Sequence, residues 1–205
     1  MASRQPIATR QELLKLKAKT KNAQRGRSLL KDKRDSLMKE FFDIMREAIE
    51  LRQRFEDMYG VAFGQFQQAI SQMDHEYLEA LTKTVTVQVQ VSATTKSIMS
   101  VKIPQLSSSV EGSATEYSLI QTNAQLDQSL QSLRTIIPDI LALIQAEYAA
   151  LLLAREIEKT RRRVNSLDYI VIPELNAHTK GVRSKLEEQA RDATVALMKV
   201  KAKIV

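Results

Sequence analysis

The chain has 205 residues with 5 Gly, 4 Pro, 5 Phe, no Cys and no Trp, and it carries a net charge of +7. So few turn residues exclude a sandwich, a barrel or a doubly wound sheet and point to long helices, and the lack of Cys excludes a disulfide framework and thiolate metal sites. The charge is sorted along the chain: residues 4–34 carry +9, 35–82 carry −6, 83–154 carry −1 and 155–205 carry +5.

A first helix starts at Thr9, whose hydroxyl can cap the turn, with Glu12 completing a capping box. From Leu13 the sequence alternates steps of three and four through Leu16, Thr20, Ala23, Arg27, Leu30, Arg34, Leu37, Phe41, Ile44, Ala48, Leu51, Phe55, Met58 and Ala62. Such a seven-residue repeat is the seam of a left-handed coiled coil. Only Arg27 and Arg34 among these positions are charged; they either snorkel to the edge and pair with carboxylates or specify register and partner contacts. A looser stripe continues through Phe66, Ile70, Met73, Tyr77 and Leu81. The helix is therefore expected over 9–81, roughly 110 Å at 1.5 Å per residue. Within it, Gly60 and Gly64 read as a point of close helix contact or local loosening.

Thr84 to Val91 alternates β-branched and polar residues and reads as a half-buried strand. Its expected partner is Ile98 to Ile103, with Ser92 to Lys96 turning between them and Pro104 ending the second strand. Leu106 to Ser113 reads as a Ser-rich loop.

A second long helix is expected from about residue 122 to 204. Its apolar positions come in three runs: Leu126, Leu130, Leu133, Ile137, Ile140 and Ile144; then Leu153, Ile157, Thr160, Val164, Leu167 and Val171; then Leu186, Ala193, Leu197, Val200 and Ile204. Pro138 and Pro173 each remove a helical hydrogen bond and are expected to bend it. The expected fold is thus mainly α. It is one elongated domain over 1–205, a long antiparallel two-helix coiled-coil hairpin with a β-hairpin and a short helical or loop segment at the bend, over 82–121. Folding the chain at its middle pairs residues whose numbers add to roughly 204–212. Asp43, Glu47 and Glu50 then face Arg161, Arg162 and Arg163 as structural ion pairs, Arg34 falls near Asp168 to Glu174, and Arg27 near Glu187 and Glu188. Both basic ends gather at one tip.

No converging acid, base or nucleophile is visible, so neither catalysis nor a cofactor is expected. His75 and His178 lack metal-ligand spacing. The basic tip has the charge for sequence-blind phosphate binding, but no aromatics are interleaved and no nucleic-acid motif is present. No run of about 20 apolar residues occurs, so no membrane span is expected. Met1 to Arg10 lacks the apolar region of a secretory signal, and the absence of Cys suits a reducing compartment.

Three segments carry a family resemblance: Ala23 to Met38 (AQRGRSLLKDKRDSLM), Ile98 to Pro104 (IMSVKIP), and Glu156 to Tyr169 (EIEKTRRRVNSLDY) followed by Ile172-Pro173. In order and spacing they resemble the signatures of the D subunits of V/A-type rotary ATPases. That family's pattern favours His where Arg27 stands, and Ala and Glu where Ser166 and Asp168 stand. The resemblance implies a non-catalytic rotor of the central stalk, cytoplasmic and peripheral to the membrane. Its implied partners are the catalytic A and B subunits, the small F subunit and a socket subunit on the membrane ring. Lys15, Lys19, Arg25, Arg27, Lys31, Arg34, Arg183, Lys185, Arg191 and Lys199 are the expected contacts to the A–B hexamer. Phe63, Phe66, Leu130, Leu133 and Ile137 are the expected contacts to the F subunit. A free-standing coiled-coil adaptor is the alternative.

Overall fold

A computed structural model describes residues 7–73, 87–112 and 122–204. In chain order these form helix α1 (Arg10–Ser71), strands β1 (Gln88–Ile98) and β2 (Val101–Glu111), helix α2 (Ala124–Ser166), a π-turn (Leu167–Val171) and helix α3 (Ile172–Ile204). The protein is mainly helical: two long helical arms pack together, with a small antiparallel β-hairpin between them in sequence. The expected continuation of the first helix through His75, Tyr77 and Leu81 lies outside the described residues, as do the strand start at Thr84 to Thr86 and the end of the expected loop at Ser113. The chain forms two compact units, residues 1–36 with 157–205, and residues 37–156.

In the first unit, the Glu12 N–H donates to Thr9 Oγ1 at 3.2 Å, the bond expected of the capping hydroxyl. Leu16, Thr160, Val164 and Val182 are its buried side chains among the described residues. In the second, α1 contributes Leu37, Ala48, Ala62 and Ala69, and α2 contributes Leu126, Ser129, Ile136, Ala146, Ala149, Ala150 and Leu153. The many alanines let two backbones approach closely, while Leu37, Leu126 and Leu153 fill the remaining space. Each fully buried Leu contributes about 1.5–3 kcal/mol. All fifteen seam positions expected in α1 are buried or half-buried. Ser129 is tolerated at the seam because its hydroxyl donates to the Leu126 carbonyl at 2.8 Å.

The second arm departs from its expected seam at both ends. Near its start, Ser129 and Ile136 are buried where Leu130 and Ile137 were expected, and Ile144 is 47% exposed. The middle run through Leu153, Thr160 and Val164 is buried as expected. The last run is not a seam: Leu197, Val200 and Ile204 are exposed, and every residue from 187 to 204 is exposed. The register explains this. Partner numbers add to 195 at Arg27 and Asp168 and at Gln72 and Asn123, and to 199 at Arg52 and Glu147, below the expected 204–212. The chain reverses about the hairpin rather than about its own midpoint, so the second arm is the longer and α1 ends before α3 does.

Pro138 lies inside α2 without ending it. Pro173 acts differently. Lacking an N–H, it cannot bond the carbonyl four residues back, and its ring crowds that carbonyl. The preceding turn widens instead, and the Ile172 N–H reaches the Leu167 carbonyl, five residues back. Asn123 caps α2, its Oδ1 accepting from the Gln125 N–H at 3.4 Å. One window of 18 residues in the helical stretch Ala124–Ile204 reaches a mean hydropathy of 1.7. By length and composition alone this stretch is long and apolar enough to cross a membrane, contrary to the sequence expectation; 28% of the window is buried here.

The hairpin also differs from expectation. Its turn is Met99-Ser100, not Ser92 to Lys96, and β2 runs through Pro104 and Leu106 to Glu111. Met99 and Ser100 have φ of 47° and 74°, the left-handed pair that a two-residue hairpin turn demands. Neither is Asn or Gly, so the turn carries no residue-level signal. Replacing Met99-Ser100 by Asn-Gly relieves that strain and is expected to slow exchange of the hairpin amides several-fold, equivalent to about 1 kcal/mol. Unchanged exchange at Ile98 and Val101 would show that no strain is stored there.

Candidate interaction surfaces

Three surfaces stand out, one in the first unit and two in the second. In the first unit, the widened π-turn holds Asp168 with its side chain only 18% exposed. Arg27 pairs with it from α1, and Lys31, one helical turn further, approaches its other oxygen at 3.6 Å. The seam charge at Arg27 is thus paired with a carboxylate on the opposing arm, as the snorkelling reading expects, although its buried Nε makes no hydrogen bond among the described residues. Its partner is Asp168 rather than Glu187 or Glu188. Those two pair within α3 instead: Arg183 donates to Glu187 at 2.8 Å and Arg191 to Glu188 at 2.6 Å. Arg34 donates to its neighbour Asp35 at 2.7 Å rather than reaching residues 168–174. Arg162 pairs with Glu158 one turn before it, and Arg161 and Arg163 are exposed. Asp43 accepts from Arg46 within α1 at 3.0 Å. Arg34, Arg46, Arg162, Arg183 and Arg191 thus each pair along their own helix, each pair worth a few tenths of a kcal/mol.

Elsewhere in this unit, Lys15, Lys19 and Arg25 on α1 and Lys199 on α3 are exposed. Lys185, on the same helix, is exposed and has an interaction partner. Tyr169 and Ile170, on the π-turn itself, are 79% and 62% exposed. The sequence marks this place through Pro173 and through the family segments that hold Arg27 and Asp168, but not as a pairing.

In the second unit the two helices have an occupied edge and an open one. On the occupied edge, Ile44 and Glu47 of α1 and Ala142, Gln145, Ala146 and Ala149 of α2 line a small cleft against the hairpin residues Lys96, Ile98, Ile103 and Pro104. Ile103 is buried there, and Gln145 Oε1 accepts the Leu106 N–H at 2.8 Å. On the open edge, Phe41, Met45, Ile49, Ala150, Leu151 and Ala154 line a groove of about 570 Å³, crossed by the Arg52–Glu147 pair. Sequence reasoning missed this groove, because Met45, Ile49 and Leu151 lie beside the heptad seam and not on it.

Further along α1, Phe55, Tyr59 and Phe63 stack in succession with ring centroids 5.5 and 5.6 Å apart. Tyr59 and Phe63 are each 42% exposed. The five residues expected to meet a partner therefore divide. Phe63 stands on this outer ladder, Leu133 and Ile137 are half-buried, and Phe66 and Leu130 pack internally on Ala69 and Leu126. A Cβ added at Gly60 or Gly64 would meet nothing within 4 Å, so close helix contact is not the reason for these glycines.

The family of ATP synthase D subunits matches residues 12–202. A protein of Acetivibrio thermocellus, described as the D subunit of a V-type ATP synthase, is 42% identical over 197 residues, covering 94% of this chain and 89% of its own length. Proteins of the same description from Clostridium novyi and Fusobacterium nucleatum are 39% and 38% identical over 198 and 204 residues. They cover 94% and 98% of this chain, and 92% and 97% of their own lengths.

Proposed function

Because the chain belongs to the D-subunit family of V-type ATP synthases, we propose that it is the non-catalytic rotor of the central stalk. It couples ATP hydrolysis or synthesis in an A–B catalytic hexamer to ion translocation. The observation that carries this is the match over residues 12–202, joined to two long helices packed along a heptad seam. An axle must resist bending, and two helices sharing a seam resist it better than one. It must also present different faces to the sites around it, and the widened turn at 167–171 makes the two arms unlike. It works in the cytoplasm, in the sector peripheral to the membrane.

Its partners in this reading are the A and B subunits around the basic ends, the F subunit along residues 37–156, and a socket subunit on the membrane ring. Arg27 and Lys31 are already engaged by Asp168. Exposed Lys15, Lys19, Arg25 and Lys199 are freer to slide on acidic hexamer surface, each contact worth roughly 0–1 kcal/mol. Such contacts hold the axle without locking it. For the F subunit, exposed Phe63 beside Tyr59 is the better anchor, since Phe66 and Leu130 are consumed internally.

The test mixes the purified full-length chain with the A–B hexamer and the F subunit, and measures complex stoichiometry and ATPase activity. Lys15→Gln, Lys19→Gln, Arg25→Gln and Lys199→Gln together are expected to weaken hexamer affinity about tenfold at low salt, with the difference shrinking as salt rises. Affinity equal to the natural chain at low salt would remove the basic end from the interface. Failure of the natural chain to join the complex would sink the rotor reading.

A further inference from the structure

Within the second unit, α1 carries two interior glycines one helical turn apart, Gly60 and Gly64. A glycine weakens a helix relative to alanine, because its backbone has more freedom to lose. It is kept where a side chain would clash, but a Cβ at either position meets nothing within 4 Å. Packing among the described residues therefore does not require these glycines.

The opposing arm is weakened at the same height. Gln72 bonds Asn123 and Arg52 pairs with Glu147, so facing residues between these levels have numbers that add to 195–199. Gly60 then lies level with residues 135–139, and Gly64 with residues 131–135. Pro138 falls in that window. Its missing N–H leaves the Arg134 carbonyl without a helical donor, and its ring crowds that carbonyl. The Thr135 hydroxyl donates to the Ser132 carbonyl at 2.7 Å, and back-bonding of this kind competes with the helical ladder. On α1, Gln65 Oε1 is buried with no hydrogen-bond partner among the described residues. Such an unmet acceptor gains when water reaches it.

Paired helices splint each other: a weak turn in one is held straight by an intact turn beside it. Where both backbones are weak at one height, neither holds the other. Firmer packing flanks this height. Phe66, Ala69, Leu126 and Leu130 pack together on one side, and Ala48, Ala149 and Ala150 are buried on the other.

We infer that residues 60–64 of α1 and 134–138 of α2 form a bending joint in the paired helices. It separates the segment beneath the hairpin, where Ile44, Ala142 and Ala146 lie, from the segment around Ala69 and Leu126. Ala62 and Ile136, both buried at this height, keep the seam closed. The joint therefore bends without parting the arms, and both arms still carry twist. The joint is a property of the chain by itself. Its use, letting one segment lean while the other keeps its partner, rests on the rotor reading above.

The test uses the full-length chain, which has no Cys, so introduced ones take spin labels without competition. Labels at Arg54→Cys and Gln68→Cys straddle the joint. Labels at Lys39→Cys and Gln53→Cys span an equal length of α1 away from it, and all four positions are exposed. The distance distribution across the joint is expected to be about twofold wider than the control. It should narrow to the control width when Gly60→Ala, Gly64→Ala and Pro138→Ala are combined. Backbone hydrogen exchange gives a second reading. The amides of residues 61–65 are expected to exchange about tenfold faster than those of residues 45–52 and 66–69. Gly60→Ala with Gly64→Ala should slow the amides of residues 135–141 on α2 as well as its own turn. Equal distance widths in the natural chain overturn the joint. Exchange that only rises steadily toward Ser71 overturns it as fraying of the helix end. Slowing confined to α1 overturns it by leaving two unrelated weak turns. Where the triple variant is disturbed, the comparison of widths in the natural sequence decides. A joint found in a chain that does not join the A–B hexamer and the F subunit keeps this inference and sinks the rotor reading.

Discussion

Leu130→Asp is expected to destabilise the second unit by about 3 kcal/mol or more, whereas Phe63→Asp, three residues from Phe66 on α1, is expected to stay within about 1 kcal/mol of the natural chain. Both residues look alike in the sequence, large and apolar on a helical stripe. Leu130 packs on the Ala69–Leu126 cluster together with Phe66 and Met73. A carboxylate there loses water, and a pair with Arg134 one helical turn on recovers only a few tenths of a kcal/mol. Phe63 stands 42% exposed at the end of the aromatic ladder, and a charge there remains hydrated at the cost of one stacking contact. Urea unfolding followed by circular dichroism separates the two. The same pair decides where the F subunit binds in the rotor reading. Phe63→Asp should weaken that complex with the helices intact, and Leu130→Asp only by unfolding them. Equal loss of stability from both would mean that the ladder is internal.

Asp168→Asn is the second substitution with a large expected effect. It leaves Arg27 and Lys31 facing a neutral amide, and the two cations then repel each other one helical turn apart. A loss of about 1–2 kcal/mol is expected at low salt, less at high salt, because both cations are partly exposed and therefore screened. Arg27→Ala in the natural chain and in the Asp168→Asn background closes a double-mutant cycle. A coupling of about 0.5–2 kcal/mol is expected, and a coupling of zero would mean that the pair is only surface charge.

How far the sequence could be read depended on whether a feature repeats. The seam of α1 was legible because fifteen positions state the same fact, and a local exception such as Arg27 does not erase it. The hairpin's existence was legible from its alternation, but its turn was not. Turn rules look for Gly and Asn, and Met99 and Ser100 take the left-handed conformation without them. Pro104 was misread for a related reason. A proline stops a strand only where its N–H belongs to the ladder, and the turn at Met99-Ser100 sets which residues of β2 face that way. The pairing of the arms failed because the bend lies nearer the N-terminus than the chain's midpoint, which composition cannot state. Of the candidate surfaces, the basic residues were legible as a charge block. The Asp168 clamp was not, although both of its ends fall inside segments that the family resemblance had already marked.

The unequal arms have a mechanical consequence. Where two helices lie side by side, as at Arg27 and Asp168, twisting one forces the other to shear against it, and the pair behaves as a stiff shaft. Residues 187–204 of α3 are exposed all round, without a described helix alongside. A lone helix bends and twists far more readily under the same load. If the chain turns within a bearing, that last stretch is an elastic element: it takes up angular strain during a step and returns it afterwards, while the doubled part of the shaft advances almost as a solid. Shortening α3 from its end should therefore alter the smoothness of rotation before it alters its direction or the stability of the paired helices.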